Sequence, residues 1–124
     1  MCQNILIVED DEEVRGLIRQ TLENAGYGVR EAANGIEAIR PAEEAAFDLV
    51  ITDILMPEKD GLETIIHLRR ENPGTKVIAI SGGHNELFLR NARGLGALSV
   101  VTKPFTPKTL LGVVAEILHP VGVA

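Results

Sequence analysis

Glu9, Asp10, Asp53, Ser81 and Lys103 are the residues whose types and spacing could do chemistry. Each follows a short aliphatic run: NILIV before Glu9 and Asp10, LVIT before Asp53, KVIAI before Ser81, and ALSVVT before Lys103. Three carboxylates brought to one place repel, and are costly unless a cation sits among them. Hard oxygen donors with room for water suit Mg²⁺ better than zinc, and no His or Cys cluster competes for the role. Lys103 would add positive charge and Ser81 a hydrogen-bond donor. Such a set makes a site for a phosphoryl group. The cation offsets developing charge, the ammonium holds an oxygen, and a carboxylate can act as nucleophile.

The elements that must position these groups follow from periodicity. Asn4–Val8 is aliphatic and β-branched, which predicts a buried strand. Five acids, Glu9 to Glu13, come next, and from Val14 the period turns helical, with Val14, Leu17, Ile18, Thr21, Leu22 and Ala25 on one face. Asp11 reads as the N-cap, with Glu12 and Glu13 at the favourable end of the helix dipole. Gly26 stands where a helix is commonly closed. A weaker strand, Gly28–Ala32, precedes a helix capped by Asn34 and running from Gly35 to about Ala46, in which Pro41 should cause a kink or break. The strand ending at Asp53 leads through Pro57 and Gly61 to a third helix carrying Leu62, Ile65, Ile66 and Leu68. That helix stops at Asn72–Pro73–Gly74. Lys76–Ile80, a helix over about Asn85–Leu95, the strand Ala97–Thr102 and a helix capped by Thr106 and ending before Pro120 complete the chain.

This is a strand and a helix repeated five times, which implies an α/β fold with a parallel sheet covered on both faces. In such folds the functional crevice lies beyond the carboxyl ends of the strands. Asp10, Asp53, Ser81 and Lys103 stand 43, 28 and 22 residues apart in turn, so the first gap matches two strand-helix units and the others one each. The second strand supplies nothing comparable and suits an outer position.

Composition narrows the class. The 124 residues are 45% apolar and 24% charged, ordinary for one globular domain, while 3% aromatic content demands an aliphatic core. A net charge of −6, with no basic cluster beyond Arg69–Arg70, argues against direct nucleic-acid binding. The one cysteine, Cys2, cannot pair internally. No run approaches the roughly 18 apolar residues of a membrane span. The expectation is a cytoplasmic domain with no membrane partner.

ILIVEDD, TDILMPEKDG, IAISGG and VTKPF, in this order and spacing, resemble the receiver domain of two-component response regulators, the CheY-like superfamily. The resemblance runs from Ile5 to about Leu118, and the chain reads as a single receiver unit over 1–124, stand-alone or part of a larger regulator or hybrid kinase. It implies a three-layer, flavodoxin-like (βα)5 sandwich with a five-stranded parallel sheet of order 2-1-3-4-5. It implies that Asp53 takes a phosphoryl group from a sensor histidine kinase or phosphotransfer protein. Asp10, Asp53 and the backbone carbonyl of Leu55 would bind Mg²⁺ directly, and Glu9 through water. Ser81 and Lys103 would hold the phosphoryl oxygens, with a Lys103–Pro104 peptide that is cis in the family. The domain would be a two-state phosphorelay switch passing its state to a downstream effector. It would not be an enzyme acting on an external substrate, although it takes part in its own phosphotransfer and dephosphorylation.

Besides Pro41, which should shorten or bend the second helix, two departures from the family pattern stand out. Receivers commonly carry an aromatic residue or His three positions before the strand-five lysine, and here that position is Val100. Leu87, Phe88 and Leu89 are consecutive and sweep roughly 200° of helix surface, so they cannot all face the core. One of them, with Val100, is expected to form an apolar surface for a partner or for a second copy of the chain on phosphorylation. His84 is expected to be solvated, and His67 and His119 to lie on helix surfaces. Two other classes compete. A receiver-like interaction scaffold that is not phosphorylated would have no need of the acids, Ser81 and Lys103 together. An Mg²⁺-dependent aspartyl phosphohydrolase would need a second acid two residues past the nucleophile, where this chain has Leu55, together with a cap insertion.

Overall fold

A computed structural model of the chain describes residues 3–44, 46–53, 66–68, 70–81 and 99–119, the side chains of 42–44 excepted. The strands are β1 (Asn4–Val8), β2 (Gly28–Ala32), β3 (Leu49–Asp53), β4 (Lys76–Ser81) and β5 (Ser99–Thr102). The helices are α1 (Glu12–Asn24), α2 (Gly35–Glu44) and α3 (Pro107–Leu118). Residues 66–68 and 70–71 are also helical and give way at Asn72, ahead of a turn at Pro73–Gly74. All strand pairings are parallel and the sheet order is β2-β1-β3-β4-β5, as expected. The helix expected over Asn85–Leu95 lies outside the described residues.

Strand alternation sorts the core into two layers. Ile5 and Ile7 of β1, Leu49 and Ile51 of β3, Ile78 and Ile80 of β4, and Val101 of β5 pack against Ile18 and Leu22 of α1 and Leu110, Val114 and Leu118 of α3. The alternate residues Leu6, Val8 and Val50 pack with Ala38 of α2, Phe47 and Leu68. A sheet buried on both faces explains why its strands read as unbroken aliphatic runs. Leu110 is fully buried in the first layer. Leu110→Ala should cost about 3 kcal/mol, read as a lower urea midpoint at unchanged slope.

The helix ends follow local rules. Asp11 accepts hydrogen bonds from the amides of Glu13 and Val14, Asn34 from that of Glu37, and Thr106 from that of Thr109. Gly26 closes α1 at φ +97°, where a side chain would be strained. Pro41 does not break α2, which continues to Glu44. Proline removes only the amide that would reach the Glu37 carbonyl, and the Pro41 ring is buried, so apolar contact offsets the lost bond. Ile66, expected on an apolar helix face, is 41% exposed, and His67 is half-buried with its Nε2 inside. Among the described residues no helix is long and apolar enough to cross a membrane.

Candidate functional site

Register brings the acids together. Val8 pairs with Thr52, so Glu9 and Asp53, one step further along their strands, are neighbours at the carboxyl edge of the sheet. Their odd-numbered positions continue the rows of Ile5, Ile7, Leu49 and Ile51, which face α1 and α3. Lys103 continues the same row from Val101 on β5. Its amide donates to the Ser81 carbonyl at 2.7 Å, and Thr106 starts α3 three residues on. The Lys103–Pro104 peptide is cis. Thr52 Oγ1 donates to the Asp53 carbonyl at 3.1 Å, satisfying an acceptor at the end of β3.

Lys103 Nζ lies 2.8 Å from Asp53 Oδ2 and 2.8 Å from Glu9 Oε1, bridging two acids with one ammonium. Glu9 is 0% exposed and Asp53 4%, whereas Asp10 is exposed. Ligand atoms of Glu9, Asp10 and Asp53 all lie within 4.8 Å of one another. Burial pushes the Glu9 carboxyl from its ordinary 4.5 up to about 7. Lys103 and the Asp11 amide pull it down, and Asp10 and Asp53 push it further up. Glu9 therefore favours the folded chain at acid pH, and that contribution is lost as pH climbs from its ordinary value through about 7. Burial disfavours the Lys103 ammonium, but its hydrogen bonds and charge contacts with Asp53 and Glu9 outweigh this and hold its pKa above the ordinary value.

These residues fit a divalent cation on two grounds. Among the described residues one ammonium faces three carboxylates, which with all three ionised leaves two negative charges to offset. Glu9 Oε1 is buried and shares its charge partner, the Lys103 ammonium at 2.8 Å, with Asp53, so the pair of acids has less than one positive charge each. An all-oxygen set suits Mg²⁺ or Ca²⁺ rather than a thiophilic metal.

A family model described as "Response regulator receiver domain" matches residues 5–115. The chain belongs to that family. Receivers are the phosphorylation-dependent switches of two-component signalling, not enzymes of the ordinary kind. The chain is 32% identical over 118 residues to the chemotaxis protein CheY of Halobacterium salinarum, covering 95% of this chain and 98% of that protein. It is 38% identical over 117 residues to the sensor kinase CckA of Brucella abortus, covering 93% of this chain but only 12% of the kinase. A solved CheY-like receiver domain protein from Methanospirillum hungatei matches with a TM-score of 0.91 at 31% identity, over 95% of this chain and 94% of that one.

Of the receiver residues expected from sequence, Glu9, Asp10, Asp53 and Lys103 converge at one point. Ser81 is fully buried at the end of β4, one residue beyond Ile80, the register partner of Asp53. Val100 is half-buried on β5 opposite Ala79. Leu55, Leu87, Phe88, Leu89 and His84 lie outside the described residues.

Two features were not anticipated. The edge strand β2 is tied to α1, because its Glu31 pairs with both Arg15 and Arg19. Leu17, expected to face the core, is 42% exposed. It borders an open apolar groove of about 470 Å³ with Val14, Lys103, Pro104 and Phe105. Helical periodicity alone cannot show that tertiary packing leaves Leu17 beside an open groove.

Proposed function

We propose that this receiver is phosphorylated on Asp53, with Mg²⁺, by a histidine kinase or phosphotransfer protein, and signals through the resulting change of state. The observation that carries the reading is Lys103 bridging Glu9 and Asp53, both buried, beside exposed Asp10. The Asp53 carboxylate would attack phosphorus, the P–N bond to the donor imidazole would break, and the imidazole would leave carrying a proton. Lys103, already aimed at Asp53 Oδ2, would hold a phosphoryl oxygen, and the Ser81 hydroxyl would donate to another. Glu9 and Asp10 would hold the Mg²⁺, which when bound supplies charge neutralisation for the transferring group. The added charge at Asp53 would redistribute the contacts of Lys103 and bias the β4 and β5 ends between two arrangements. The apolar groove bordered by Lys103, which contacts Asp53, would give the delivering partner a place to rest.

The reading is tested by incubating the chain with a small acyl phosphate donor, with Mg²⁺ and with EDTA. Loss of the label in hot acid and its cleavage by hydroxylamine identify an acyl phosphate. Label should appear only with Mg²⁺. An interaction scaffold would take up none under either condition.

The raised Glu9 pKa sets a pH dependence. A cation competes with the proton on Glu9, so apparent Mg²⁺ affinity should rise about tenfold between about pH 6 and pH 8. Calorimetric titration at several pH values would show the rise, and Glu9→Gln should flatten it while weakening binding.

A further inference from the structure

We propose that Arg15 is a positioning residue for the acidic pocket, holding the β1–α1 loop so that Glu9 and Asp10 stay gathered against their mutual repulsion. The inference rests on the Mg²⁺ reading above.

The geometry is specific to this side chain. Glu9 lies one residue past β1, and its amide makes the last bond to β2, to the Ala32 carbonyl at 3.0 Å. The Glu9 carbonyl accepts instead from Arg15 Nη1 at 2.9 Å. On its other side the Arg15 guanidinium faces Glu31 of β2, with Nε 3.4 Å from Oε1. The Arg15 side chain is only 17% exposed, against 48% for Arg19, which pairs with the same Glu31 but whose other partner among the described residues is Glu23, away from the loop. The Asp11 amide donates to Glu9 Oε2 at 3.1 Å. Asp10 thus sits between two fixed peptide units. The one before it is held by Arg15, and the one after it by the Glu9 carboxylate.

The Glu9 carbonyl and the Asp10 amide belong to one planar group, so fixing the first orients the backbone from which Asp10 departs. Without Arg15 that plane can turn toward water, and the carboxylates can relax apart. The cation would then have to gather them itself, at a cost in affinity.

Charge alone has the opposite sign. A guanidinium near the acids repels a cation, so removing it should tighten Mg²⁺ binding if Arg15 acted only through its field. Positioning and electrostatics are therefore separable by the direction of one measured change.

The test is an Mg²⁺ titration, followed by amide shifts of Asp10 and Asp53, of wild type, Arg15→Ala, Arg15→Lys and Arg19→Ala. Thermal midpoints in EDTA compare the variants without metal. Arg15→Ala should bind Mg²⁺ about tenfold more weakly, the scale seen when groups that orient metal ligands are removed. Arg15→Lys, which keeps the charge but not the fork, should recover only part of that loss. Arg19→Ala should stay within about twofold of wild type. Unchanged or tighter binding by Arg15→Ala would overturn the proposal, as would equal weakening by Arg19→Ala. A wild-type chain that bound no Mg²⁺ would overturn the metal reading as well, an outcome visible before any variant is compared.

Discussion

Asp53→Asn should take up no acyl phosphate from a small donor in the presence of Mg²⁺, a fall on the order of 10³ or more, as expected when a nucleophile is removed. An amide oxygen carries no charge to drive attack on phosphorus. The substitution is nearly isosteric at a 4% exposed position, so the packing around the end of β3 should survive. It also removes one of three crowded carboxylates, so the Mg²⁺-free fold should be no less stable than wild type. Mg²⁺ at a hundred times its dissociation constant should stabilise wild type by about 2.7 kcal/mol, and Asp53→Asn by much less. Loss of labelling combined with a retained melting midpoint separates a missing nucleophile from a damaged fold.

Lys103→Met has the second largest expected effect, because it touches stability and chemistry together. The ammonium contacts Glu9 and Asp53 at 2.8 Å each, and Glu9 has no exposure to water. Removing one partner of a buried pair leaves an uncompensated charge. Lys103 is itself 24% exposed, and Glu9 can take up a proton near neutral pH. These two facts reduce the loss to about 2 kcal/mol, or several degrees in Tm. The sign with pH follows. Without the lysine the Glu9 carboxyl rises further above about 7, so the penalty should shrink in acid, where Glu9 is neutral, and grow as pH rises. Phosphoryl uptake should fall on the order of 10²-fold, the usual scale for losing one charge-stabilising donor. Lys103→Arg should restore most of the stability but not the rate, because a planar fork cannot meet both oxygens as the ammonium does. Thermal melts across pH and labelling time courses read the two effects separately.

Much of the site was legible in the sequence for one physical reason. A parallel sheet covered on both faces needs aliphatic strands, so the strands announce themselves, and strand-helix alternation sends their carboxyl ends to one edge. Whatever polar residue follows each run must meet the others there, as Glu9, Asp53 and Lys103 do. The order 2-1-3-4-5 came from family resemblance, and pairing of β1 with both β2 and β3 bears it out.

What was not legible depends on tertiary contact. Pro41 reads locally as a kink or break, and no break occurs, because α2 continues through it with the ring buried. Leu17 falls on the apolar stripe of α1, but the groove beside Lys103 leaves it open. Arg15 carries no sequence signal at all, because its partners are a backbone carbonyl and an acid on β2 that only the fold brings near. The depth of Glu9 was equally hidden. Five consecutive acids carry no burial pattern of their own, and the place of β1 between β2 and β3 buries the first of them completely.

The assignment of Asp53 as the acceptor is tested most directly by trapping. The chain is phosphorylated with a small acyl phosphate and Mg²⁺, reduced with borohydride and mapped by peptide mass spectrometry. Reduction turns a phosphoaspartate into homoserine at the position that carried phosphate. Homoserine at position 53, absent when Mg²⁺ is withheld, is the expected result. Homoserine at position 10, or acid-stable phosphate on Ser81, would contradict the account.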